Sequence, residues 1–226
     1  VRDIEMPDAL IHPSSAIITK QLTQKCKLLG KVIKEAGPYT LIAESEQSPF
    51  EALARSIVYQ QLTGKAAATI HARLIALFAP APTLEPRLIV AAQDDFLRSA
   101  GLSRAKTAAL KDLASKTLEG LVPAQNSDLK HLSDAEIVSL LTQIRGIGKW
   151  TVEMFLMFTL GRLDVFPSSD LGVRQGFSYV YGLSELALPK EMDAHSERWK
   201  PYRSAAAWYL WRAVDLQKKL KSQNAL

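Results

Sequence analysis

Along most of the chain, apolar residues recur at spacings of three and four with polar residues between them. No run alternates with the period of two that marks a half-buried strand. The first segment starts near Ser15 and stops at Gly37–Pro38, a glycine-then-proline ending. Ile18, Leu22, Cys26, Leu29 and Ile33 share its apolar face, and Lys20, Lys25, Lys27, Lys31 and Lys34 read as its solvated face. Ser48, Pro49 and Glu51 open a helix over 48–64 with a capping box and a proline in the first turn. Residues 65–78 form the next helix, ended by the proline-rich stretch 80–86. Gly101 and Ser103 punctuate the start of a helix over 101–120. Ser133 and Glu136 make a second capping box, followed by Ile137, Leu140, Leu141 and Ile144 on one face. Segment 150–161 is apolar nearly all round and predicts a buried central helix. Helices over 170–183 and 201–220 complete the pattern, which predicts an all-α fold of about ten helices joined by short loops.

Composition narrows the function classes. With 226 residues, 47% of them hydrophobic, the chain can bury a sizeable core in one domain or two lobes. A net charge of +5 mildly favours a polyanionic partner, and many soluble proteins are as basic. The single cysteine, Cys26, rules out an internal disulfide, a CxxC zinc site and a four-cysteine iron–sulfur cluster. Its spacing predicts a core position, and a reducing compartment is expected. His12, His71, His131 and His195 are scattered, with no metal-ligand spacing. Apolar stretches are too short or interrupted to span a bilayer, and no secretory signal or membrane association is expected.

The segment "LLTQIRGIGKWT" changes the picture most. It joins a helix over 133–144 to one over 149–160 through a tight turn of pattern hhxGhG, a helix–hairpin–helix. Gly146 can adopt a positive φ, and Gly148 leaves room for another backbone. The first amides of the second helix have no intrahelical partner, and the helix dipole favours an anion beside them. Gly146, Gly148, Lys149 and Thr151 are therefore candidates for holding a DNA phosphate. Such contacts position a protein without reading sequence. The plain alternative is a helix–helix turn with a glycine cap.

Downstream, "LDVFPSSDLGVRQGF" places Asp170 just before a helix start, where an aspartate alone reads as an N-cap. Asp164 is a second carboxylate nearby with no assigned role. The hairpin, the proline-containing loop and the aspartate about twenty residues on resemble the helix–hairpin–helix DNA glycosylase superfamily. "IVYQQLTGKAA", "GLSRAKTAALKDLA", "FPSSDLGVR" and "ERWKPYRSAAAWYLW" resemble its 3-methyladenine DNA glycosylase II branch, in a compact form without an amino-terminal β domain. The resemblance covers about 45–217.

That resemblance implies that Asp170 is catalytic. Cleaving an N-glycosidic bond builds positive charge on the sugar, as in other oxocarbenium-like transition states. A fixed carboxylate stabilises that charge and can orient or deprotonate the attacking water. An alkylated purine such as 3-methyladenine or 7-methylguanine is already cationic and leaves readily, so one carboxylate can suffice. The base must first leave the stack, and an aromatic pocket attracts it by cation–π contact. The resemblance assigns that pocket to Trp150, Met154 and Trp211, with Met154 standing where some relatives carry tyrosine. It places the wedge that fills the gap in "QQLTG" at Gln61, with Leu62 as the alternative. It also implies a monovalent cation, Na+ or K+, on the backbone carbonyls of Thr142, Ile144 and Ile147, and no required cofactor. Arg145 replaces a frequent proline in that turn.

Strand-nicking members of the superfamily carry a lysine two residues after the second hairpin glycine, where this chain has Trp150. Lys149 lies one residue earlier, about 100° around the helix. A monofunctional enzyme that leaves an abasic site is the expectation. The expected architecture is two helical lobes, 45–160 carrying the hairpin (133–160) and 1–44 with 161–226, around an active-site cleft. The expected partner is double-stranded DNA containing alkylated bases, met by a monomer in the nucleus of a eukaryote or the nucleoid of a bacterium. A non-catalytic helix–hairpin–helix DNA-binding or damage-sensing protein is the main rival. It would need the hairpin but neither Asp170 nor the tryptophans. An all-α interaction protein would need none of them.

Overall fold

The computed structural model describes residues 13–44, 46–81 and 83–223. Among them lie twelve α-helices, ten of them longer than two turns, and no strand. His12 lies outside the described residues.

The apolar face at the start of the chain is divided between α1 (Ser15–Lys25) and α2 (Lys27–Ala36), where the spacing predicts one helix. Cys26 breaks it with an extended backbone, φ −149° and ψ 104°. Its Sγ accepts the Leu29 amide at 3.4 Å and lies 3.1 Å from the Tyr181 hydroxyl. The thiol thus fills the N-cap role usually taken by serine or aspartate. Ile18, Leu22, Leu29 and Ile33 still bury together.

Both capping boxes form. Ser48 opens α3 (Pro49–Tyr59) in reciprocal contact with Glu51, and Ser133 opens α8 (Asp134–Leu141) with Glu136. Helix α3 ends at Tyr59 rather than running on to Gly64, because Gln61 takes a left-handed φ of 57°. Thr63 then caps α4 (Gly64–Ala76). The short α5 (Pro86–Ala91) and α6 (Asp94–Ser99) were not foreseen; each is under two turns, too short for periodicity to reveal. Ser103 caps α7 (Arg104–Leu118). Helix α9 (Lys149–Phe158) buries Val152, Phe155, Leu156 and Met157, yet Trp150 is 40% exposed, so the helix is not buried all round. The remaining helices are α10 (Leu171–Tyr181), α11 (Pro189–Ser196) and α12 (Arg203–Gln223), of which α11 was also unforeseen. Among the described residues no helix is long and apolar enough to cross a membrane.

Two compact units result. One spans 42–167 and holds α3 to α9; the other joins the described residues up to Leu41 with those from Ser168 onward. In the first, α7 packs on α3, α5 and α6, and α9 packs on α3 and α8. In the second, α12 lies against α10 and α2, and α2 against α1.

A polar chain runs through the second unit. Cys26 meets the Tyr181 hydroxyl, which meets His195 Nε2, with Phe177 and Trp199 packed around the imidazole. Burial, helped by Arg198, lowers the His195 pKa from 6.5 to about 4. The unfolded chain takes up this proton near 6.5, whereas the folded chain resists it until about 4. In that window the unfolded state binds more protons, so stability present above pH 6.5 is lost as pH falls toward 4. Thermal melts between pH 7 and 4.5 are expected to show a falling midpoint whose slope His195→Gln flattens. An identical slope in that variant contradicts the assignment.

Candidate active site

The hairpin between α8 and α9 is built from the backbone outward. Gly146 has φ 78°, a left-handed turn that favours glycine. A Cβ there would also stand 3.0 Å from the Ala109 Cβ of α7. The N-cap of α9 is Gly148, in an extended conformation that any residue can adopt. Beyond its chain neighbours, nothing described lies within 4 Å of where its Cβ would be. Lys149 is largely exposed, with Nζ 3.4 Å from Oε1 of the buried Glu153. Thr151 is buried, and its hydroxyl accepts from Gln60 Nε2 at 3.3 Å.

Helix α7 braces this turn. Asp112 Oδ2 accepts the Arg145 amide at 2.7 Å and the Lys116 ammonium at 2.8 Å, and Lys116 also donates to the Gln143 carbonyl. Burial raises the Asp112 carboxyl, but the Arg145 amide and Lys116 together hold it below the usual carboxylate range. The Ile144 carbonyl accepts the Ile147 amide at 3.1 Å and closes the turn. Thr142 is the C-cap of α8, and Ile144 and Ile147 lie in the turn that follows.

The same helix braces the Gln61 turn. Lys106 Nζ donates to the carbonyls of Val58 (2.7 Å) and Gln60 (2.8 Å), covering the carbonyl end of α3. Gln60 Nε2 donates to the Gly146 carbonyl at 2.9 Å. One residue therefore ties the turn that carries Gln61 and Leu62 to the hairpin. Both Gln61 and Leu62 are exposed.

Met154 lines a cavity of about 300 Å³ in the same unit, with Tyr59, Phe158, Ser56, Arg55 and Glu44. Arg55 pairs with Glu44 at 2.7 Å and its guanidinium lies 5.1 Å from the Tyr59 ring centre. Trp150, one turn earlier on α9, does not line that cavity.

Asp170 and Trp211 come together in the other unit. Asp170 is the N-cap of α10, and its Oδ1 accepts the Val173 amide at 2.8 Å. The same oxygen accepts the Trp211 indole N–H at 2.8 Å. Asp170 is partly exposed, and its carboxylate is both an N-cap and a group oriented by the indole. Two charge-assisted donors orient it more firmly than a cap alone.

Residues 54–201 match the HhH-GPD superfamily base excision DNA repair protein model. DNA-3-methyladenine glycosylase 1 of Schizosaccharomyces pombe is 37% identical over 216 residues, 95% of this chain and 93% of the relative. This chain belongs to the HhH-GPD superfamily of base excision DNA repair proteins. The solved S. pombe 3-methyladenine DNA glycosylase, in complex with abasic DNA, superposes with a TM-score of 0.81 at 35% identity, covering 87% of this chain and 95% of that one. A DNA-3-methyladenine glycosidase from Bacillus halodurans gives 0.76 at 34% identity, covering 87% and 88%.

In this HhH-GPD chain the residues missed by sequence reasoning are Gln60, Lys106, Asp112 and Lys116. The lysines and aspartate fall on α7 at spacings of six and four, which resemble any solvated helix face. Only their contacts with turns far along the chain single them out.

Proposed function

We propose that the protein is a monofunctional DNA glycosylase that hydrolyses the N-glycosidic bond of alkylated purines such as 3-methyladenine and 7-methylguanine. The observation that carries this reading is the oriented Asp170 carboxylate, held by the Val173 amide and the Trp211 indole in a chain of this superfamily. Trp211, hydrogen-bonded to Asp170, is the aromatic wall against which an extruded cationic purine would stack. As the glycosidic bond lengthens, Asp170 stabilises the charge on the sugar and orients the water that attacks it. Gln61 or Leu62 fills the gap in the duplex. Gly146, Gly148, Lys149 and Thr151 offer the amide end of α9 to a phosphate. The relatives' names and the abasic DNA bound by the S. pombe enzyme support this substrate class.

Three neutral backbone oxygens, on Thr142, Ile144 and Ile147, suit a large monovalent cation, which would add positive charge beside that phosphate. The reaction is assigned no other cofactor. The partner is double-stranded DNA, met by a monomer in the nucleus or nucleoid. Trp150 in place of a lysine supports hydrolysis without strand cleavage, and Lys149 is engaged by Glu153.

Strand chemistry tests the reading. A methylated duplex treated with the protein is expected to stay intact until alkali cleaves it at abasic sites. A nick before alkali contradicts the monofunctional assignment, and an intact strand after alkali contradicts glycosylase action. A further expectation concerns the hairpin. Gly148→Val, whose Cβ meets nothing described within 4 Å beyond its chain neighbours, should weaken binding to every duplex sequence alike, by about 10- to 100-fold, with little change in melting temperature. Unchanged affinity contradicts the phosphate role.

A further inference from the structure

We propose that Gly172 is a positioning residue for the reaction: by lacking a side chain it lets the Trp211 indole N–H reach and orient the Asp170 carboxylate. The proposal rests on the reading of Asp170 as the catalytic carboxylate.

Gly172 is the second residue of α10, in a helical conformation open to any residue, so its backbone does not require glycine. Helices disfavour glycine because it keeps so much freedom in the unfolded chain. The requirement is space. A Cβ at Gly172 would lie 2.8 Å from Trp211 Cδ1, 3.0 Å from Trp211 Nε1 and 3.2 Å from Asp170 Oδ1. All three atoms belong to the contact that fixes the carboxylate, or adjoin it. The first two distances would put the methyl inside the indole's van der Waals surface, and the ring can relieve that only by moving off the helix. Moving off lengthens the 2.8 Å bond from Nε1 to Oδ1.

One turn on, Gly176 sets how far α12 can approach. Its Cβ would fall 2.0 Å from the Leu210 carbonyl oxygen, so α10 and α12 meet backbone to backbone. Trp211 follows Leu210 directly and is thereby carried over the first turn of α10. Gly176 sets the helix separation, and Gly172 leaves the hollow into which the indole falls. The indole's hydrogen bond, added to that of the Val173 amide on the same oxygen, then orients the carboxylate.

A nuclear magnetic resonance measurement reads the contact without reference to activity. The Trp211 Nε1–H signal, assigned by its loss in Trp211→Phe, should be shifted and protected from solvent exchange in the wild type. In Gly172→Ala it should move and exchange faster. An unchanged signal overturns the proposal whatever the activity. The second readout is base release from a methylated duplex. Gly172→Ala should lower kcat by about tenfold with KM little changed, as expected for losing one charge-assisted hydrogen bond. In a Trp211→Phe background the same substitution should cost little more, because the bond is already gone. Equal losses in both backgrounds overturn the positioning role and leave only a packing effect. A moved indole signal with unchanged kcat in Gly172→Ala also overturns it. Unchanged release in Asp170→Asn instead overturns the reading of Asp170, and with it any effect of Gly172 on the reaction.

Discussion

Asp170→Asn is expected to lower kcat for release of an alkylated purine by about 100- to 1,000-fold while leaving duplex affinity close to that of the wild type. Asparagine keeps the shape and can still accept the Val173 amide and the Trp211 indole N–H, both of which fall on one oxygen, Oδ1. The fold therefore keeps its cap. What disappears is the negative charge, which matters little to the bound ground state and much to a sugar acquiring positive charge. An equal loss of kcat and of affinity would mean that the aspartate holds the fold or the DNA. Unchanged kcat would remove Asp170 from the chemistry.

Gly176→Ala is expected to destabilise the fold by about 3 kcal/mol, the upper part of the range for forcing extra atoms into a packed interface. The added methyl carbon would stand 2.0 Å from the Leu210 carbonyl oxygen, a backbone atom in the middle of α12 that cannot rotate away as a side chain can. Helices α10 and α12 must separate, and the Trp211 contact with Asp170 opens with them. A fall in melting temperature of roughly 6–12 °C corresponds to that cost in a chain of this size. Gly148→Ala is the control, since beyond its chain neighbours nothing described lies within 4 Å of its Cβ. If the two variants melt together, the backbone-to-backbone seat is not what holds these helices.

Local signals in the sequence were legible wherever the physics was local. The capping boxes Ser48–Glu51 and Ser133–Glu136 form as their spacing predicts, since each is settled within one turn. Ser103, placed as punctuation, caps α7. The break at Cys26 was not legible. No glycine or proline marks it, and one of the groups that hold the thiol, Tyr181, is 155 residues away. Nor did anything announce the left-handed Gln61, because the signal for positive φ is glycine, and this turn is braced instead by Lys106 from α7.

The site divides in the same way. The hairpin glycines carry their own pattern, and Gly146 takes the positive φ that pattern predicts. As an N-cap, Asp170 could be read from its neighbours. The donor on its outer side, Trp211, is 41 residues on and was reached only through resemblance, as a pocket wall rather than a hydrogen-bond partner. Gly172 and Gly176 look like weak points in a helix until α12 is laid against them. Asp112 looks like a surface carboxylate until the Arg145 amide meets it.

Free base release by the wild-type protein tests the central claim most directly. The protein is incubated with duplex DNA carrying 3-methyladenine and 7-methylguanine, and the soluble fraction is separated by chromatography. The account predicts free methylated purines accumulating with time, with unmodified purines staying in the duplex. A soluble fraction with no methylated base above the protein-free control, from protein shown to bind the duplex, would contradict it and leave a DNA-binding protein without catalysis.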